Sequence, residues 1–287
     1  MREDYSRTAE GMAMVRALEQ TVPPAKRIII DPFAKEFLLN RHYRRLAGSA
    51  LLSRGALLLL KYWAPGGQEF LTARARLVDD LAVKLAVEGL DQIVILGAGF
   101  DTMALRIRDA LRGTTVFEVD HPATQITKRE VMDRIGAPEN LRFAAVDFEK
   151  DDFVRKLREA GFDPVRRSFV AWVGVSYYLT GKAVANTLEQ IAGLGGAGTK
   201  LVWDYLLAEV INGTTTNRDA LDKARRAAKL GEPWLFGLET SQLPYYVEQF
   251  GFHLLKDYNP EELREMYCPR RSTPMSYVRI AVCERHA

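Results

Sequence analysis

Apolar and polar positions divide the chain near residue 90. Before it, apolar residues recur at helical spacing and nothing alternates with period two. Ser6 to Gln20 reads as a helix, capped by Ser6 or Thr8 and ended before Pro23-Pro24. Asp31-Pro32-Phe33-Ala34 opens a further helical turn, with Pro32 at a favoured first position. Leu51 to Trp63 is a third helix, halted by Pro65-Gly66-Gly67. Leu71 to Glu88 is a fourth, with Leu77, Val78, Leu81, Ala82 and Leu85 on one stripe and Gly89 as its stop.

From Gln92 the period alternates between strand and helix. The predicted strands are Gln92–Leu96, Thr114–Val119, Leu141–Val146, Ser168–Val173 and Lys200–Trp203. The helices between them are Thr102–Leu111, Pro122–Ile135, Asp151–Ala160 and Gly181–Leu194, the last capped by Thr180. Such alternation predicts an α/β protein with a doubly wound sheet. A charged helix 217–230, a helix Ser241–Phe250 and strands Phe252–Tyr258 and Met275–Cys283 follow, the two strands suiting a hairpin at one sheet edge. Residues 1–90 are therefore expected to form a helical cap and 91–287 a sheet-based core within one unit.

Composition narrows the function classes. The chain has 287 residues, 47% hydrophobic and 27% charged, with 40 Lys+Arg against 37 Asp+Glu. That near balance, with its arginine pairs scattered, argues against a nucleic-acid partner. Two cysteines, Cys268 and Cys283, make neither a disulfide framework nor a zinc pattern, and fit a cytoplasmic setting. The start, MREDYSRTAEG, is too polar for a secretory leader. The apolar patch Ala56–Leu60 is too short for a membrane span. No metal-binding spacing is present, and oligomeric state is not encoded in any readable pattern.

The chemistry gathers where strands end. Gln92-Ile93-Val94-Ile95-Leu96 runs into Gly97-Ala98-Gly99, which lets bare backbone approach a ligand. Asp120 closes the next strand and can accept the hydroxyls of a ribose. Asp147-Phe148 closes the third, where a carboxylate and the following N–H suit adenine. Glycines, ribose carboxylate and adenine reader in strand order describe an adenosine pocket without an evident phosphate cradle, which favours S-adenosyl-L-methionine over a nucleotide. Asp101-Thr102 either caps the next helix or touches the same ligand.

LGAGFDT, FEVDHP, VDF and GVSYYL, in this order, resemble the leucine carboxyl methyltransferase family, and in particular its bacterial branch of polyketide-type O-methyltransferases. SRTAEGMAMVRALE, DPFA and ARARLVDD extend the likeness over nearly the whole chain. The resemblance implies a class I methyltransferase fold: a Rossmann-like, seven-stranded mixed sheet with the last strand antiparallel, under an N-terminal helical cap. It also implies that Arg74 grips the cofactor's methionine carboxylate, with Arg76 the alternative in the ARAR repeat. Carried over in the same way, Gly97 lies under the methionine, Asp120 holds the ribose, and Asp147 with Phe148 contacts the adenine; Ala98 and Gly99 complete the cofactor turn, and His121, next to Asp120, is placed beside the adenine. Val173 stands where the family carries a glutamate, and Tyr178 matches a tyrosine beside the acceptor.

The expectation is an O-methyltransferase using S-adenosyl-L-methionine on a small-molecule carboxylate or hydroxyl, with Arg16, Tyr5 and Leu51–Leu60 lining the acceptor pocket, unless Arg16 is instead tied to Glu19 at helical spacing. Val173 motivates a second reading, a catalytically degenerate cofactor binder. The G-x-G with a later acidic residue motivates a third, a nicotinamide-dependent oxidoreductase, against which the missing third glycine weighs.

Overall fold

Strand β1 (Gln92–Leu96) is buried along its whole length. Ile93 and Ile95 join one apolar core, Val94 and Leu96 another. Alternate residues of a strand point to opposite faces, so both faces must be covered by helices. β2 (Thr115–Asp120) and β3 (Leu141–Ala145) lie outward on one side, β4 (Ser168–Trp172) and β5 (Lys200–Leu207) on the other, all parallel. β6 (Gly237–Leu238) is a two-residue strand on β5, off the main path. β7 (Phe252–Tyr258) forms the edge, and β8 (Val278–Arg285) runs antiparallel between it and β5. The order β3-β2-β1-β4-β5-β8-β7 contains the expected seven strands. The computed structural model describes residues 5–148, 151–229 and 231–286. Residues 1–4 of the polar start, Leu230 at the expected end of helix 217–230, and residue 287 lie outside the described residues.

Among the described residues four α-helices precede the sheet: α1 (Arg7–Glu19), α2 (Arg41–Ala47), α3 (Ala50–Trp63) and α4 (Gly67–Val87), with short 3-10 turns at Pro24–Lys26 and Ala34–Phe37. Ser6 caps α1, its hydroxyl accepting from the Ala9 N–H. The sheet then alternates with α5 (Met103–Arg106), α6 (Pro122–Ile135), α7 (Phe153–Glu159) and α8 (Gly181–Ala192). The later helices are α9 (Ala208–Ile211), α10 (Arg218–Lys229), α11 (Leu243–Glu248) and α12 (Pro260–Tyr267). Residues of α1, α4, α5 and α6 share a core with Ile93 and Ile95, so the cap covers that face. α7, α8 and α11 cover the other. On α8 the buried residues Val184, Leu188 and Ile191 recur at i, i+4, i+7, each contributing about 1.5–3 kcal/mol by burial.

Several boundaries depart from expectation. The helix predicted over 102–111 stops at Arg106, because the chain tightens into three-residue turns, Ala110 N–H to Ile107 O and Leu111 N–H to Arg108 O. β5 runs four residues beyond the expected Trp203, held by β8 from Lys200↔Glu284 to Leu206↔Val278. That pairing also shifts the last strand from the expected 275–283 to 278–285. α12 was not expected, although Asn259-Pro260 with Glu262 makes a full capping box.

Buried charges fasten the cap to the first sheet turn. Arg16 of α1 donates to Asp31 Oδ2 at 2.8 Å and to the Phe100 carbonyl at 2.5 Å. Asp31 Oδ2 also accepts from Thr102 Oγ1 at 2.6 Å. Arg106 of α5 reaches Asp79 of α4 through two hydrogen bonds, at 2.6 and 2.8 Å. A two-pronged guanidinium–carboxylate contact fixes direction as well as distance.

Candidate functional site

The site is built on the carboxyl ends of β1, β2 and β4, where strands leave β1 for opposite sides of the sheet. Gly97 has φ +69°, and a Cβ there would lie 2.5 Å from Val175 Cγ2. Only glycine meets both conditions without displacing the β4 exit. The N–H groups of Gly97 and Ala98 both donate to the Val119 carbonyl. That folds the turn back so that the Gly99 N–H reaches Asp120 Oδ2 at 2.6 Å. Asp120 Oδ1 accepts from the His121 N–H at 2.7 Å. Each carboxylate oxygen thus holds one backbone donor and keeps lone pairs for further hydroxyl donors. Burial raises the Asp120 pKa despite the opposing backbone hydrogen bonds from Gly99 and His121. His121 caps α6, its Nδ1 accepting from the Ala123 N–H.

On the other bank, Arg74 of α4 is buried and donates through Nη1 to Asp204 Oδ2. Asp204 Oδ1 accepts from the Gly174 N–H at 2.8 Å. Burial opposes the Arg74 charge, yet Asp204 and then Tyr177 outweigh it and raise its pKa. Arg76 instead pairs with Asp80 on an exposed face, so the structure brings Arg74 to this crevice. The residue paired with Arg74 was missed from sequence. Its signal was a lone acid inside an apolar strand, Leu201-Val202-Trp203-Asp204-Tyr205-Leu206.

Asp204 also bears on Val173. Trp172 pairs with Trp203 across β4 and β5, and Val173 and Asp204 are the next residues along. A buried carboxylate, held by Arg74 and the Gly174 N–H, therefore stands one strand over from position 173. Tyr177 and Tyr178 lie in the turn that follows, with ring centroids 4.8 Å apart. Burial raises the pKa of both phenols.

The remaining candidates are more dispersed. The Asp147 N–H donates to Asp151 Oδ2 at 2.9 Å, while the half-exposed Phe148 ring lies 6.0 Å from that of Phe153. Arg16 is committed to Asp31 and Phe100. Tyr5 donates to Glu10 Oε2 at 3.1 Å. A cavity of about 360 Å³ lies among Met14, Leu18, Tyr43, Ala56, Leu59 and Trp63. At 100° per residue, its α1 stripe (Gly11, Met14, Val15, Leu18) is opposite Ala9 and Arg16, which face the glycine turn. The apolar α3 segment thus borders a space across α1 from the crevice.

A parallel five-strand run completed by an antiparallel strand, with glycine turn and acidic strand ends at the switch point, is the class I methyltransferase fold. A crystal structure of a protein from Thermobifida fusca YX, provisionally described as a methyltransferase, shares it, with TM-score 0.62 at 14% identity, covering 100% of this chain and 97% of that one. The chain belongs to the leucine carboxyl methyltransferase family, whose profile matches residues 9–192. It is 28% identical over 206 residues to YktD of Bacillus subtilis (strain 168), covering 71% of this chain and 67% of YktD. A relative from Mycolicibacterium smegmatis (strain ATCC 700084 / mc(2)155) is 33% identical over 207 residues, covering 69% and 66%. Both are provisionally named S-adenosyl-L-methionine-dependent methyltransferases. The chain spans about two thirds of their length.

Proposed function

We propose that the protein is an S-adenosyl-L-methionine-dependent O-methyltransferase acting on a small molecule. The observation that carries this reading is the convergence of the glycine turn, Asp120 and the Arg74–Asp204 pair on neighbouring strand ends. The residues fit the cofactor. Gly97 and Gly99 have positive φ and turn the backbone so that the Gly99 N–H holds Asp120, and Asp120 retains acceptor capacity for ribose hydroxyls. Asp147 and Phe148 stand one strand further out, on the adenine side.

Arg74 suits the carboxylate at the amino-acid end of the cofactor: its guanidinium fork keeps a little exposure while the fully buried Asp204 holds it in place. With the glycine turn, Asp120 and Arg74 all in place, a degenerate binder is the less favoured reading of Val173. The oxidoreductase reading gains nothing: the third glycine is absent, and the family is one of methyltransferases.

When bound, the cofactor supplies an electrophilic methyl on sulfonium. The protein's part is alignment and exclusion of water beneath the α1 roof. An acceptor carboxylate would arrive ionised; a hydroxyl would require a proton acceptor. Isothermal titration should give a micromolar dissociation constant for S-adenosylhomocysteine, on the order of 8 kcal/mol of binding free energy. No detectable binding would overturn the proposal.

A further inference from the structure

One carboxylate outside the cofactor set faces the same crevice from the C-terminal third of the chain. Gly231, with φ +80°, turns the chain out of α10, and its N–H donates to the Ala228 carbonyl. The Glu232 N–H donates to the Ala227 carbonyl at 3.0 Å. This wrap at a helix end fixes Glu232 in place. The chain then runs against the turn after β4. The Leu235 N–H donates to the Tyr177 carbonyl at 2.7 Å, and the Trp234 ring meets that of Tyr177 edge-on at 6.2 Å.

From the opposite bank, Thr8 Oγ1 donates to Glu232 Oε2 at 2.7 Å. Thr8 precedes Ala9, whose Cβ lies 3.0 Å from where a Cβ on Gly99 would stand. The Thr8–Glu232 bond therefore joins the roof over β1 to the wall beside β4, above the crevice between them. Tyr178 shares this space: after burial, the charge of Glu232 is the next influence raising its pKa.

We infer that Glu232 takes the proton from the methyl acceptor, and that the acceptor is a neutral hydroxyl compound, a phenol or an alcohol, rather than a carboxylic acid. The inference rests on the methyltransferase reading above and names the acceptor class for that site. A hydroxyl can take the place of Thr8 as donor to Oε2. A second carboxylate there would face a like charge in a partly desolvated space. A phenol, with pKa about 10, gains most from a positioned base. The acceptor O–H proton passes to Glu232 and then to water. The acceptor oxygen pair forms the new O–C bond, and the methyl–sulfur pair stays on sulfur, which becomes a neutral thioether.

The test uses the full chain loaded with S-adenosylhomocysteine and titrated calorimetrically with 2-naphthol and, separately, 2-naphthoate. The expected result is naphthol bound at least about tenfold more tightly, one like-charge contact's worth of discrimination. Glu232→Gln should bring the two probes to within about twofold of one another while S-adenosylhomocysteine affinity stays within about twofold, a readout that also reports folding. With S-adenosyl-L-methionine, turnover of 2-naphthol by Glu232→Gln should fall about 10²–10³-fold. Naphthoate bound as tightly as naphthol, neither probe bound, discrimination kept by Glu232→Gln, or turnover retained by that variant would each overturn the inference. Failure of S-adenosylhomocysteine to bind appears before either probe is added and overturns the methyltransferase reading with it.

Discussion

Asp204 keeps its carboxylate between Trp203 and Tyr205, both fully buried. It is tolerable there because Gly174 N–H and Arg74 take one oxygen each. Replacing it with asparagine leaves the Arg74 guanidinium buried without its counter-charge, a loss of about 3 kcal/mol of stability. The same change frees the guanidinium proposed to grip the cofactor's carboxylate from the partner that positions it. S-adenosylhomocysteine affinity is expected to fall about ten- to a hundredfold, measured by calorimetry well below the variant's melting temperature. Gly97 offers a second test. Gly97→Ala meets both a positive φ and Val175 Cγ2 at 2.5 Å, and should cost about 2–3 kcal/mol in urea denaturation. Val175→Ala in the same chain should recover the steric part only, since it leaves the backbone conformation unchanged. Gly97 and Asp120 were legible in the sequence because they end strands; Asp204 was legible only as an anomaly, and Glu232 not at all.

β2 and α6 meet through a pair with no exposure to solvent: Lys128 Nζ lies 2.6 Å from Glu118 Oε2, and both side chains are buried. Burial lifts the Glu118 pKa from the ordinary 4.5 to about 7, and Lys128 offsets this only in part. A folded-state pKa above the unfolded one favours folding while the group is protonated, and that contribution is lost as pH rises through the folded value. Stability relative to a Glu118→Gln variant is therefore expected to decline between about pH 4.5 and 7, by at most about 3 kcal/mol. Denaturant melts of both proteins across that range check the sign. Element boundaries show why local patterns stop short. Five strands (β1, β2, β3, β4 and β7) and α6 begin and end within a residue of expectation, since periodicity and stop glycines mark them. The true length of β5 was hidden, because β8, its partner, sits some eighty residues further along the chain.

At the scale of the molecule, the cap and sheet share one apolar core, running from Ala13 and Leu18 through Ala73 and Leu77 to Ile93 and Ile95. Ligand binding at their junction should stabilise both together. S-adenosylhomocysteine at a hundred times its dissociation constant adds about 2.7 kcal/mol, a rise of about 5 °C in melting temperature for a chain of this size. A differential scanning trace in which only part of the transition moved would mean that cap and sheet unfold separately. Among the described residues no helix is long and apolar enough to cross a membrane. The sequence by itself determined the strand–helix alternation, the glycine turn and the acidic strand ends, because each is written in consecutive residues. Only the tertiary structure decided which charges meet. Arg74 and Asp204 are 130 positions apart, Thr8 and Glu232 224. No local period carries such a pairing; it exists once the sheet has brought the ends of distant strands and helices to one crevice.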